Sequence, residues 1–138
     1  MRNWDDREVD GALFNTKEKV KLQKFDYVKE EWIKVQGSRL YQIDAYGSTV
    51  YPDATQVVWL VESKCQKNPI GSSEVKKFKE ACNAAIIRFE PTTAFKWFFS
   101  VSGFKQDAKA EMQKDGIYFS SKPELNKLLE IFGMKKVE

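Results

Sequence analysis

The sequence predicts an α/β fold in which a mixed sheet of about five strands is flanked by helices. Between residues 26 and 46, apolar and polar residues alternate with the period of two that is typical of strands. The second half alternates strand-like and helix-like segments, and a helix between two strands forces a parallel crossover. An apolar run at residues 57–61 lies between the two halves and predicts a buried central strand.

The first half predicts three consecutive strands. The segments YVKEEWIKV and RLYQIDAYG are typical of two antiparallel strands joined by a tight turn at Gly37–Ser38. A second turn, in GSTVYPDAT, leads to a third strand from Gln56 to about Lys64. Because no polar residue interrupts its apolar run, this strand is expected to be covered on both faces.

The second half predicts three helices and two further strands. The first helix has Ser72 or Ser73 available as its N-cap and ends before Pro91. The segments TAFKWFFSVS and IYFS predict strands, and KQDAKAEMQKDG between them predicts a helix that ends at Gly116. A last helix is predicted over residues 121–133, starting from the capping box in SKPE.

The first 24 residues are the least regular part of a chain that we otherwise interpret as one domain over residues 1–138. The segment NTKEKVKLQKF would form a short helix if Asn15 or Thr16 caps it. Its apolar positions are sparse, so an irregular segment is an equal alternative.

Composition limits the possible functions. Lys and Arg number 23 against 20 Asp and Glu, and a net charge of +3 does not by itself indicate a polyanionic partner. The chain has no histidine, and Cys65 and Cys82 lack metal-type spacing, which excludes zinc sites and histidine-based triads. No segment has the ~20 apolar residues of a membrane span or the apolar core of a signal peptide, so we expect a cytoplasmic protein with reduced thiols and no membrane partner.

Charged side chains are predicted at the carboxyl end of the central strand. Glu62 and Lys64 are two residues apart and therefore share one face. Asp44 lies at the matching depth of the preceding strand. Two neighbouring carboxylates need a cation to remain ionised together, and oxygen ligands suit Mg²⁺. Taken singly, Asp44 could be a capping residue, and Glu62 could form only a surface ion pair with Lys64. The three residues together predict an enzyme that hydrolyses phosphodiester bonds.

These residues resemble a known nuclease motif. QID at 42–44 followed by VESK at 61–64 resembles the PD-(D/E)xK nuclease superfamily, with Ile43 in place of proline. The segment FFSVSGFKQDAKAEMQKDGIYF resembles the stretch after the active site in Mrr-like (type IV) restriction endonucleases. With SSEVKKF included, the similarity covers about residues 27–120 and implies a restriction endonuclease-like fold.

The resemblance implies roles for individual residues. Asp44 and Glu62 would bind the divalent metal together with the backbone carbonyl of Ser63, and Lys64 would be the catalytic lysine. Mg²⁺ is the implied cofactor, and Mn²⁺ is expected to substitute for it.

Two further residues are candidates for the site. Many family members carry a glutamate on the first helix; Glu18 is the best placed candidate here and Glu8 the next, although neither lies in a recognisable motif. Gln66 would share the face of Glu62 and Lys64 if the central strand continued that far, and could then orient a phosphate or water.

Basic and aromatic residues are the candidates for contacting DNA. Trp32 alternates with charged neighbours and could be exposed, whereas Trp59 and Trp97 fall in apolar strands and are predicted to lie in the core. Lys79 belongs to the helix that follows the central strand. Either phosphate contacts or a merely solvated surface would explain the lysines around the site, which are Lys67, Lys76, Lys77, Lys105 and Lys109.

The resemblance therefore implies a Mg²⁺-dependent DNA endonuclease of the restriction or defence type. A Holliday junction resolvase or repair nuclease is one alternative, and a catalytically inactive nucleic-acid-binding module of the same fold is another. Cutting both strands needs two active sites, so a homodimer is plausible. No segment resembles a target-recognition domain, so specificity would come from a separate domain or partner, or from DNA structure.

Overall fold

The computed structural model describes residues 1–34 and 40–138. The predicted turn at Gly37–Ser38 lies outside the described residues. A short 3₁₀-helix occupies Gly11–Phe14. The remaining elements are β1 (Arg7–Val9), β2 (Val20–Leu22), β3 (Tyr27–Lys34), β4 (Leu40–Val50), β5 (Gln56–Lys64), α1 (Ser72–Phe89), β6 (Thr93–Ser100), α2 (Gln106–Lys114), β7 (Tyr118–Ser120) and α3 (Lys122–Ile131).

Strands β3 to β7 form one mixed sheet in their order along the chain. The pairs β3–β4 and β4–β5 are antiparallel, whereas β5–β6 and β6–β7 are parallel. Helix α1 connects β5 to β6 and α2 connects β6 to β7, as parallel pairing requires. The α/β class and the five-stranded mixed sheet are therefore confirmed.

Central strand β5 separates two apolar layers. Val58 and Leu60 face the layer beneath α1 and α2, while Trp59 and Val61 face the layer beneath the N-terminal segment and α3. All four side chains are buried, because the strand is covered on both faces. The predicted bounds of this strand and the buried positions of Trp59 and Trp97 are confirmed.

The helix considered for the segment NTKEKVKLQKF does not form. Strand β2 pairs with β1 instead, and its Val20 and Leu22 point into the core on either side of exposed Lys21. This spacing has the period of a strand, which the mixed composition of the segment hides. The Ser120 hydroxyl donates to the Leu13 carbonyl and so joins the 3₁₀-helix to the sheet.

The helix boundaries also differ from the prediction, since α2 ends at Lys114 and α3 at Ile131. The N-cap of α1 is Gly71 rather than Ser72 or Ser73, and its N–H donates to the Glu74 carboxylate at 2.8 Å. The capping box at the start of α3, between Ser121 and Glu124, is confirmed. Among the described residues, no helix is both long and apolar enough to cross a membrane.

Substitution of Gly11 by alanine should destabilise the protein. The new Cβ would collide with the carbonyl oxygen of Glu18 and lie 2.6 Å from that of Thr16, and backbone carbonyls cannot move aside as a flexible side chain can. We expect the free energy of unfolding in urea to fall by about 2 kcal/mol or more.

Gly71→Ala is the matched control, because the nearest atom to its Cβ would be the Lys105 side chain at 3.7 Å. This variant should be destabilised by less than about 1 kcal/mol, the usual cost of a weaker N-cap. Equal destabilisation of the two variants would contradict the tight packing of the N-terminal segment.

Candidate active site

Asp44 lies on a β-bulge. Two residues of β4, Asp44 and Ala45, lie opposite the single residue Glu30 of β3. The extra residue changes the alternation of side chains, so that Ile43 and Tyr46 both face the layer beneath α1. Asp44 and Ala45 face the opposite layer, where both line a cleft of about 310 Å³. Bulges commonly redirect a side chain in this way next to an active site.

The bulge is followed by a separation of β4 from β5. Pairing between these strands stops at Ala45 and Val61, although β5 continues to Lys64 alongside β6. Beyond that point the Asp44 carboxylate accepts a hydrogen bond from the Ser63 N–H at 3.0 Å. The sheet therefore opens between the two strands at the carboxyl end of β5.

Glu62 and Lys64 occupy the opened end. They lie on the α1 side of the sheet, and the carboxyl of Glu62 contacts that of Asp44. The Lys64 ammonium lies 3.3 Å from the nearer Glu62 oxygen. A cleft of about 340 Å³ surrounds them, lined by Leu40, Tyr41, Gln42, Glu62, Lys64, Glu74, Lys77, Phe78, Glu80 and Ala81. The structure thus brings together the three side chains that the motif singled out.

The electrostatics of this group depend on Glu62. Burial raises the pKa of Glu62 to about 7, the neighbouring Asp44 charge contributes to the rise, and Lys64 only partly opposes them. The Glu62 side chain is 14% exposed and that of Lys64 is 43% exposed. A half-buried pair of carboxyls whose neighbouring ammonium is 43% exposed is short of positive charge.

The donor set fits one divalent cation. Two carboxyls in contact supply hard oxygen ligands, and a bound cation would offset the repulsion that raises the Glu62 pKa. The described residues contain no cluster of three or more His, Cys, Asp or Glu side chains that could hold a metal. Mg²⁺ commonly binds through one or two carboxylates and retains several waters, which agrees with this limited set.

The other candidate residues do not line this cleft. Glu18 is exposed beyond the 3₁₀-helix, and the pKa of Tyr118 is raised mainly by burial and to a smaller extent by the Glu18 charge. Glu8 lies on β1 and lines a different cleft next to α3. Since no α-helix forms in the described chain before β3, the first-helix glutamate of the family has no counterpart there. The expectation that Gln66 shares the face of Glu62 and Lys64 is wrong, because β5 ends at Lys64. The exposed Gln66 amide donates instead to the Asn68 carbonyl at 3.1 Å.

Helix α1 contributes cleft residues that the motif did not reveal. Glu74 and Lys77, three residues apart on one helix face, both line the cleft. Their spacing was visible in the sequence, but whether that face turned towards Glu62 depended on how α1 packs on the sheet. Gln42, the first residue of the QID motif, lines the same cleft.

The lysines considered for DNA contact, and Lys79 beside them in sequence, differ in exposure and in ion pairing. Lys79 forms ion pairs with Glu111 at 3.0 Å and with Asp115 at 2.5 Å, so its charge is already used to hold α1 against α2. Lys109 is half-buried at the start of α2. The exposed lysines are Lys67, Lys76, Lys77 and Lys105.

An Asp and a Glu-x-Lys at the opened end of a mixed sheet define the PD-(D/E)xK class of nuclease folds. The family model described as restriction endonuclease (Mrr_cat) matches residues 5–129. The chain therefore belongs to the restriction endonuclease family, as the resemblance of its motifs predicted.

One solved structure is similar in shape. It is the crystal structure of a repair endonuclease from Pyrococcus abyssi, with 17% sequence identity and a TM-score of 0.45. The match covers 68% of this chain and 38% of that protein, so the chain spans well under half of its length. The comparison with curated proteins found no match.

Replacing Glu62 by glutamine should stabilise the metal-free protein at high pH. Folding raises the Glu62 pKa from its ordinary value of 4.5 to about 7, so the folded state keeps a proton that the unfolded chain releases between these values. Binding of this proton stabilises the folded state. The stabilisation is fully present below about pH 4.5 and is lost as the pH rises through 7. Glutamine cannot ionise, so the variant escapes this loss.

Urea unfolding in EDTA measures the effect. Glu62→Gln should match wild type near pH 4.5 and exceed its free energy of unfolding by about 1–3 kcal/mol near pH 8. Added Mg²⁺ should stabilise the wild type and not the variant. An identical difference at both pH values would contradict the raised Glu62 pKa.

Proposed function

We propose that this chain is a Mg²⁺-dependent DNA endonuclease. The observation that supports the proposal most directly is the contact between the Asp44 and Glu62 carboxyls at the opened end of the sheet, with the Lys64 ammonium beside Glu62 in an open cleft. Such a pair is unfavourable without a cation, and its position at the carboxyl end of a central strand is accessible to a polymer.

In this proposal the chain's own residues hold and orient the reactants. Asp44 and Glu62 would bind the ion, together with the carbonyl of Ser63. When bound, Mg²⁺ supplies Lewis acidity at the phosphate and at a water. Lys64 extends from β5 into the cleft, where its ammonium would orient the attacking water or stabilise charge on the phosphate. In-line attack at phosphorus breaks the bond to the 3′ oxygen and leaves a 5′-phosphate and a 3′-hydroxyl.

Membership of the restriction endonuclease family favours a role in restriction or defence, with a repair or junction-resolving nuclease as the alternative. A homodimer would supply the two sites needed to cut both strands. Specificity would come from a separate domain or partner, or from DNA structure. The free thiols of Cys65 and Cys82 fit the proposed location in the cytoplasm.

One observation favours a second candidate function, a nucleic-acid-binding module without turnover. The N-terminal segment lacks the helix that carries a further glutamate in many family members, so it adds no carboxylate to Asp44 and Glu62. A pure binder has no need for a metal between Asp44 and Glu62, so metal binding separates the two functions.

Supercoiled plasmid should be nicked by the wild-type protein in Mg²⁺ or Mn²⁺ and not in EDTA. Lys64→Ala and Asp44→Asn should each reduce this activity by roughly 10²-fold or more, because each removes a group that stabilises the transition state or holds the ion. Lys127→Ala, on an exposed position of α3, is the control and should retain full activity.

Calorimetric titration completes the test. Mg²⁺ or Mn²⁺ should bind the wild type, and Asp44→Asn should weaken that binding. Equal nicking by wild type and Lys64→Ala would refute the enzyme, and unchanged metal affinity in Asp44→Asn would refute the site.

The exposed lysines should determine how DNA binding depends on salt. If Lys67, Lys76, Lys77 or Lys105 binds a phosphate, its substitution by alanine should make the slope of log K against log salt shallower by about 0.9. Lys79→Ala is the contrasting variant: its ion pairs with α2 predict a lower urea midpoint and an unchanged slope. A slope near zero for the wild type would contradict phosphate binding by this surface.

A further inference from the structure

Trp32 differs from the other tryptophans in its exposure. The side chain of Trp32 is 55% exposed, whereas Trp4, Trp59 and Trp97 are each at most 6% exposed. All four lie in the described part of the chain. A large aromatic side chain in water forgoes the stabilisation that burial would give it, so its exposure calls for a partner.

The exposed indole is held in place through one carboxylate. Its Nε1 donates to one oxygen of Glu30 at 2.7 Å, and the Gln42 amide donates to the other oxygen at 3.0 Å. Trp32 and Gln42 are also cross-strand partners in β3 and β4. We call Trp32, Glu30 and Gln42 the aromatic platform.

The platform adjoins the active site through Gln42, while its indole lies on the Asp44 side of the sheet, opposite to Glu62 and Lys64. Gln42 lines the cleft that contains Glu62 and Lys64, and it is two residues from Asp44. Ile33 faces the layer beneath α1, so its neighbour Trp32 faces the side of the sheet on which Asp44 lies. The spacings within and between strands then put the Cα atoms of Trp32 and Asp44 about 8 Å apart.

We propose that Trp32 stacks on an unpaired nucleobase of the DNA strand that passes Asp44. The preferred DNA would then contain a single-stranded segment, such as a flap or a gap, since bases within an intact duplex already stack on both faces. This inference rests on the proposed function and names its substrate class. Stacking tolerates any base, so it selects DNA structure and not sequence.

The charge of the platform agrees with a base as the occupant. The Glu30 carboxylate repels phosphates, so the DNA backbone is disfavoured directly over the indole. Base amino groups, in contrast, are suitable donors to a carboxylate. Leu40, which is also exposed, lies two residues from Gln42 on β4 and therefore on the same face of the strand.

Binding is measured in EDTA, so that no DNA is cut, with flap DNA that carries 2-aminopurine at single positions in the unpaired strand. We expect tryptophan fluorescence and 2-aminopurine fluorescence to be quenched together, because the other three tryptophans are buried. Trp32→Ala should bind the flap roughly 5- to 100-fold more weakly and bind intact duplex with nearly unchanged affinity.

Two variants separate stacking from other effects. Trp32→Phe keeps an aromatic ring and should restore most of the flap affinity. Ile87→Ala removes another exposed apolar side chain, from α1, and should bind like wild type. Equal flap affinity in wild type and Trp32→Ala would overturn the proposal. A Trp32→Ala variant that changes only the oligomeric state in sedimentation would also overturn it, because a second copy of the chain would then occupy the platform.

The plasmid assay distinguishes this failure from failure of the proposed function. If the wild type nicks plasmid in Mg²⁺ but Trp32→Ala binds flaps normally, the stacking inference alone is refuted. If the wild type fails to nick while flap binding still depends on Trp32, the nuclease is refuted and stacking stands.

Discussion

A single extra residue in β4, at Asp44 and Ala45, reconciles a packed core with an open active site. It allows Ile43 and Tyr46 to face the same apolar layer although they are three residues apart. It also turns the Asp44 side chain to the face of the sheet opposite to that of Glu62, and β4 and β5 stop pairing at this point. The Ser63 N–H then donates to the Asp44 carboxylate instead of to a backbone carbonyl of β4. The cleft, the contact between the carboxyls and the exposure of Lys64 all depend on this separation.

The apolar strand before the site supplies the rigidity that the site itself lacks. Val58 to Val61 are buried on both faces of the sheet, so the end of β5 is fixed where Glu62 and Lys64 begin. Burial and the Asp44 charge then make ionised Glu62 unfavourable, as its pKa of about 7 shows. The protein therefore sacrifices stability at the position where a cation would be bound, which is common at functional sites.

The N-terminal segment stabilises the sheet and adds no carboxylate to the described cleft. Its short strands and 3₁₀-helix cover the tryptophan-rich layer, with Trp4 packed edge-on against Trp59 at a centroid distance of 5.0 Å. Gly11 packs against the backbone of the same segment. Asp44 and Glu62 are the two carboxyls of the motif at the opened end of the sheet, and the further carboxyls that line the cleft, those of Glu74 and Glu80, come from α1.

The sequence by itself determined the bounds of β5, the alternation of strands and helices, the capping box at Ser121, and the position of Glu62 and Lys64 on one face of β5. Each follows from periodicity or from residues a few positions apart, which act on local backbone geometry. The tertiary structure decided the bulge at Asp44, the strand at Val20 and Leu22, the ion pairs of Lys79, the exclusion of Gln66 from the site, and the fixed exposure of Trp32. These features depend on partners distant in sequence, whose packing and charge outweigh weak local preferences.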